Sequence, residues 1–308
     1  MLGRLLRSIF ANDAPVAAPG AAAVPALAAT LKEIERRLHE LREIAVPQLQ
    51  VAAIRERERL LADGRYDDPL RLERHGCSVY SQNDEDGILA EIFRRIGTTE
   101  RRFLEFGVEG GLENNTLCLL EQGWSGAWIE GAAYRVAEIE NGFRRWLASG
   151  RLALRHARVT RENINALIRE LQVPPEPDLL SIDIDGNDYH VWQAIDAIQP
   201  RVVAIEYNAR FPPPMEWVMA YDPAHGWDGT DQFGASLESL TALAARKGYA
   251  LVGCSITGTN AFFVQARLAG DRFARPASAA FLYQPPRYHL LSSFTSGHPA
   301  GYSRSQMP

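Results

Sequence analysis

The chain has 308 residues, 46% of them hydrophobic and 23% charged, and a net charge of −5. That balance suits a single large soluble core, and the acid excess argues against a general nucleic-acid binder, which carries a basic stripe. Three cysteines without CxxC spacing (Cys77, Cys118, Cys254) argue against a disulfide framework or a cysteine zinc site and fit a reducing, cytoplasmic setting, and no apolar run reaches the ~18 residues of a spanning helix. Residues 1–10, MLGRLLRSIF, put Leu2, Leu5, Leu6 and Ile9 on one helical face beside Arg4 and Arg7. The alternatives there are a weak membrane-surface contact, which would make the protein peripheral, and a frayed or partner-docking end. Ten residues offer little binding area, which favours the second. Residues 11–29 are rich in Ala and Pro and are expected to be a linker.

Residues 30–78 are expected to form a helical extension. Leu31, Ile34, Leu38, Leu41 and Ile44 recur at three- and four-residue steps, and Pro47 is expected to interrupt the helix. This segment either pairs copies of the chain as a short coiled coil, giving a homo-oligomer, or lies on the main domain. From residue 79 to 267 helix and strand signals alternate. Asn83 is the expected N-cap of a helix with Asp84, Glu85 and Asp86 in its first turn, where the helix dipole favours acids. Strands are expected at 102–107, 126–130, 152–157, 179–184, 202–207, 249–254 and 260–265, with helices at 114–122, 161–171 and 189–198 between some of them. The pattern predicts an α/β fold: a doubly wound sheet of about seven strands, mostly parallel, closed by an antiparallel C-terminal hairpin. Residues 210–234 break the pattern with Pro212–Pro214, Trp217, Tyr221, Trp227 and Phe233, and are expected to wall or cover a site at a strand's C-terminal end. The tail, 268–308, carries no assigned structure.

Chemistry concentrates at three places. LEFGVEGG (104–111) follows a strand and precedes a helix, and Gly107, Gly110 and Gly111 allow a tight turn and close backbone approach to a ligand. It is neither a Walker A motif nor a GxGxxG fingerprint. Glu105 lies at the strand end, and Glu109 disfavours a pyrophosphate and suits a cationic group such as a sulfonium. Glu130 ends the second strand, 25 residues after Glu105, where an acid binds ribose hydroxyls. SIDIDGNDYHVW (181–192) clusters Asp183, Asp185 and Asp188, which repel one another unless a cation, proton or ligand intervenes. Asp185, Glu206 and Asn208 are expected to meet at the sheet's carboxyl edge as oxygen ligands for Mg²⁺; the alternative is that they cap helices and bind water. His190, on the helix after the acidic loop, and His225, in the long loop, are candidate bases; a structural role is equally open for His190 and favoured for His225.

The ordered set SQNDEDGIL, FLEFGVEGG, ENNTL, GWSGAWIE, LLSIDIDGNDYHVW, PRVVAIEYN and GTNAFFV resembles the FkbM-type methyltransferases dependent on S-adenosylmethionine (SAM), over roughly residues 78–265. The resemblance implies a Rossmann-like class I domain that methylates a hydroxyl of a sugar, glycan or natural product. It implies that Glu105, Gly107 and Gly110 line SAM, that Glu130 holds its ribose, that Asp183 lies near the methionine part or the acceptor, and that Gln82 and Asp84 close over the cofactor. Asp185, His190 and Glu206 are then the candidate catalytic groups. IEYN departs from the acidic pair usual in metal-assisted O-methyltransferases. Two rivals stand beside this reading: a glycosyltransferase using Asp183-Ile184-Asp185 as a DxD pair, and an inactive methyltransferase-fold scaffold.

Overall fold

A computed structural model describes residues 23–290, with side chains from residue 28. The amphipathic stretch expected at 1–10, the start of the expected linker and the last eighteen residues of the tail lie outside the described residues. Two compact units divide the chain, residues 1–49 and 50–308.

The first described element is helix α1, Ala23–Leu61, and it corrects two expectations. Ala23–Ala29 are helical, because alanine is the strongest helix former and overrides the linker composition. The helix also runs through Pro47. Proline costs a hydrogen bond and crowds the preceding turn, but the flanking helix is long and carries Arg36–Glu33, Arg37–Glu33 and Arg59–Glu56 ion pairs one turn apart.

The body of the protein is a seven-stranded sheet in the order β3-β2-β1-β4-β5-β7-β6. Its strands are β1 Arg102–Phe106, β2 Ser125–Glu130, β3 Leu152–His156, β4 Leu179–Ile182, β5 Val202–Glu206, β6 Tyr249–Cys254 and β7 Asn260–Gln265. The first five pair in parallel, β7 pairs antiparallel with β5, and β6 closes the hairpin. This is the Rossmann-like doubly wound fold that the alternation predicts. Helices α2 Glu85–Ile96, α3 Leu117–Glu121, α4 Ala133–Gly142 and α5 Arg144–Ala148 cover one face, α6 Ile164–Glu170, α7 Asp188–Ala194 and α8 Leu237–Arg246 the other. Side-chain alternation along the strands explains the two layers: in β1, Phe103 packs with Ile88, Trp128 and Phe262, and Leu104 and Phe106 pack with Ile164, Val191 and Leu240.

The packed body extends beyond the expected limits of 79 and 267. Tyr66 and Leu72 are buried; Tyr66 Oη donates to Gln284 Oε1 at 2.8 Å, and Gln284 Nε2 donates to Glu73 Oε1 at 2.8 Å. Arg71 and Glu73 form a buried pair at 2.6 Å. After the short helix α9, Ala266–Ala269, Phe273 and Ala274 are buried, as is Leu282 of helix α10, Ala279–Leu282. Residues on both sides of the sheet thus complete its core. Among the described residues no helix is long and apolar enough to cross a membrane.

Candidate functional site

A cavity of about 520 Å³ lies along the carboxyl edge of the sheet, a volume in the range of small-molecule sites. Its lining draws on the ends of β1, β2, β3, β4 and β5, on the first residue of β7 and on the entry to α2. The centre is the gap between β1 and β4, where the strand order reverses and open α/β sheets bind ligands.

Gly107 fixes that centre. Its φ is +81°, and a Cβ there would stand 1.4 Å from the Asp183 carbonyl oxygen. The β1 and β4 ends therefore approach so closely that only glycine fits. Glu109, also at positive φ (48°), donates its N–H to Glu130 Oε2 at 2.9 Å, and Glu130 Oε1 accepts from Ala132 N at 2.8 Å. One carboxylate thus pins the two turns after β1 and β2, and the residue still lines the cavity.

Glu105 is buried, and burial pushes its carboxyl up to about 7 against hydrogen bonds that favour its ionisation. It accepts from Asn115 N at 2.9 Å and Thr116 Oγ1 at 2.5 Å, and Trp128 Nε1 donates to the same Thr116 hydroxyl at 2.7 Å. It lines the cavity while holding the 113–116 turn in place. Within that turn Asn114 Oδ1 accepts from Leu117 N at 2.8 Å, and its Nδ2 is buried with no partner.

The acidic turn after β4 is organised by Asp188, whose carboxylate accepts from Ile184 N and Gly186 N, both at 2.9 Å. That bond pulls the chain out of the sheet after Ile182, so β4 ends two residues earlier than expected. It also leaves Asp183 and Asp185 facing the cavity, with Asp185 at φ +54°. One oxygen from each of Asp183, Asp185 and Glu206 lies within 4.8 Å of the others. Burial, then the neighbouring carboxylates, raises all three acids, Asp183 and Glu206 well above the ordinary range. Glu206 Oε2 is buried without a hydrogen-bond partner.

Five sequence expectations are corrected here. Asn208 is no ligand: its Nδ2 donates to Asp231 O (2.8 Å) and Phe233 O (3.0 Å), tying down the long loop, and it does not line the cavity. Asp183 takes its place beside Asp185 and Glu206. His190 Nε2 is engaged with Met219 O at 2.7 Å and its ring packs between Tyr189 and Tyr221, away from the cavity. Gly110 is also off the cavity wall, facing Glu138 and Arg135. At the entry to α2 the N-cap is Asp84 rather than Asn83, because Asn83 turns its N–H and amide onto the Glu85 carboxylate. Gln82 lines the cavity as expected, and Asp84 does not.

The segment between β5 and α8 folds back on itself through a Val218–Ala235 bridge and docks on the acidic turn. Gly234 N donates to Gly186 O at 2.9 Å, and Asn187 Nδ2 donates to Asp222 O at 2.7 Å. This brings His225, Gly226 and Trp227 to the cavity. The His225 ring packs where Gly186 has no side chain, and its Nε2 is buried without a partner. Arg158, from the loop after β3, donates to His225 O and closes the wall. Sequence reasoning placed a wall here but gave Asn114 and Asn260 no role and Asn83 and Glu85 only helix-capping ones, not a place in the cavity; their signal was polar residues at strand and helix ends inside the motifs.

Eight carboxylates line the cavity against two arginines. Burial raises five of the eight (Glu85, Glu105, Asp183, Asp185 and Glu206) towards the neutral form; a cationic ligand would draw them back to the charged form, and a diphosphate would not.

No family model matches the chain, and neither does any curated protein. Solved structures with a similar chain path include an O-methyltransferase from Bacillus cereus in complex with SAH (16% identity, 73% of this chain and 94% of that one, TM-score 0.39). A provisionally assigned O-methyltransferase from Klebsiella pneumoniae is 16% identical over 70% of this chain and 96% of that one, with a TM-score of 0.42. The pyocyanin biosynthetic protein PhzM is 15% identical over 57% of this chain, with a TM-score of 0.37, and the match spans about half (54%) of its length.

Proposed function

We propose that this protein is a SAM-dependent methyltransferase acting on a hydroxyl of a sugar, glycan or natural product. The observation that carries this reading is the acidic trough laid across the β2, β1 and β4 ends, with Glu130 at one side of the Gly107 turn and Asp183 at the other. The donor set fits SAM. Each Glu130 oxygen accepts one backbone N–H and keeps a lone pair for a ribose hydroxyl. Asn114 Nδ2, an unspent donor, suits the carboxylate of the methionine part, and the acids beside it suit the sulfonium and ammonium charges.

When bound, SAM supplies an electrophilic methyl group. The chain's contribution is to orient the acceptor oxygen in line and to take its proton. Asp185 and His225 line the cavity and can serve; Glu206 lines it too, but its carboxyl is held towards the protonated form, and His190 does not line it. Asp183, Asp185 and Glu206 also fit a hard divalent cation such as Mg²⁺, an oxygen-only set whose mutual repulsion a cation relieves. Such an ion would lower the acceptor hydroxyl's pKa. Asp183 and Asp185 stand together as a DxD pair also would, but eight lining carboxylates oppose a nucleotide-sugar diphosphate.

The test is transfer of a labelled methyl group from SAM to sugar-bearing acceptors, with and without Mg²⁺, in the wild type and in Asp185→Ala. Turnover that depends on Mg²⁺ and loses that dependence in the variant supports the metal-assisted form. Equal turnover and equal metal response in both proteins sinks that form and leaves proton transfer by a side chain.

A further inference from the structure

At the β5–β7 end of the cavity three buried side-chain oxygens have no hydrogen-bond partner: Asn83 Oδ1, Asn260 Oδ1 and Glu206 Oε2. Glu85, fully buried, accepts from Asn83 Nδ2 (3.0 Å) and Asn260 Nδ2 (2.8 Å) on Oε1, and from Asn83 N (2.9 Å) on Oε2. Those bonds fix both amides in one orientation. Each NH₂ turns one N–H onto Glu85, and the amide atoms left with no partner at all are Asn83 Oδ1 and Asn260 Oδ1, both buried. Asn83 and Asn260 are 5% and 4% exposed, and both line the cavity. Asn260 is the register partner of Glu206 across β5 and β7, and Glu206 Oε2 is the third unpartnered oxygen, on a carboxyl that burial holds towards its neutral form. A buried acceptor without a donor costs about 1–3 kcal/mol, so a ligand that brings donors gains affinity here.

Position says which ligand. Strands lie ~4.8 Å apart, so the trough from β2 to β7 runs roughly 19 Å over four spacings. Glu130 marks the ribose end at β2, and the methyl donor crosses β1 and β4. The β5–β7 end lies beyond it, on the side left for the acceptor.

We propose that this end is the acceptor pocket, that Asn83 Oδ1 and Asn260 Oδ1 are its recognition atoms, and that Glu85 is the positioning residue that holds them. The acceptor class follows: a group that presents several hydrogen-bond donors, either the neighbouring hydroxyls of a sugar or a sugar ammonium. The placement of the pocket rests on the methyltransferase reading; the donor requirement rests on the fixed amides alone.

The experiment is saturation-transfer NMR on the protein loaded with S-adenosylhomocysteine (SAH), using methyl α-glucopyranoside, glucosamine and anisole as probes. Wild type, Asn260→Leu and Glu85→Gln are compared, and SAH affinity is measured for each. Glu85→Gln keeps the shape but gives the two asparagines a donor, freeing their amides to turn. The expected result is binding of a donor-bearing probe and none of anisole, with affinity falling at least about tenfold in both variants while SAH affinity stays within about twofold. Preference for the glucoside assigns hydroxyls; preference for glucosamine assigns the ammonium. Anisole binding as well as the sugars, no sugar binding at all, or sugar binding indifferent to both variants overturns the proposal. If SAH fails to bind the wild type, the methyltransferase reading falls instead, and the same titration on the unloaded protein still decides the donor requirement.

Discussion

Gly107 and Glu105 occupy neighbouring positions at the end of β1 and show how differently two residues of one motif work. Gly107 is demanded by sterics: its φ is positive and the Asp183 carbonyl fills the place of a side chain. Gly107→Ala should destabilise the fold by about 3 kcal/mol or more, read by urea denaturation; wild-type stability would show that β1 and β4 approach less closely than described. Glu105 is an electrostatic matter. Its carboxyl is raised to about 7 by burial, and in the unfolded chain it titrates near 4.5. Between those pH values the folded chain holds a proton that the unfolded chain has lost. The stabilisation is complete below pH 4.5 and disappears as pH rises through 7. At ~1.4 kcal/mol per pKa unit the change is about 3 kcal/mol. Buried Asp84, pushed to about 7 by burial and by Glu85, acts in the same direction. Thermal melting should therefore occur at higher temperature at pH 5.5 than at pH 8, and Glu105→Gln should flatten the difference. A melting temperature that climbs steadily with pH contradicts this account.

At the scale of elements, the strands were the most legible part of the sequence. Strands β6 and β7 occupy the expected residues, because a turn at Gly258 bounds two strongly apolar runs. Strand β4 was read too long, since the capture of Ile184 and Gly186 by Asp188 leaves no mark on hydropathy. The Pro47 expectation failed because one unfavourable residue does not outweigh a long run of good helix formers. At the site, residue type was legible and orientation was not. An acid after β4 and another ending β5 could be read, but not that Asn208 would turn away to hold the loop while Asp183 turned in. Asn208→Ala should accordingly loosen the 210–234 segment, raising its proteolysis rate about tenfold or more, for a loss of 1–3 kcal/mol in local anchoring. If Asn208→Ala instead abolishes Mg²⁺ binding with the loop still protected, the ligand set proposed above is wrong.

Helix α1 carries most of the large apolar side chains that are exposed among the described residues. Of the fourteen large hydrophobic side chains exposed among the described residues, eight belong to α1, including Leu38 and Leu41. Pairing of copies through this helix, the homo-oligomer that residues 31–61 suggest, predicts a mass in light scattering of twice 34.2 kDa, returning to one copy in a Leu38→Glu, Leu41→Glu variant. A monomeric wild type contradicts the pairing. Acceptor, metal and base all depend on what the trough holds. The measurement that reaches it most directly is isothermal titration of the folded protein with SAH, beside a Glu130→Ala variant of matched melting temperature. Saturable binding in the wild type, weakened about tenfold or more in the variant, is the predicted result. No heat of binding from folded wild type, or binding untouched by Glu130→Ala, would contradict the assignment of this cavity to SAM.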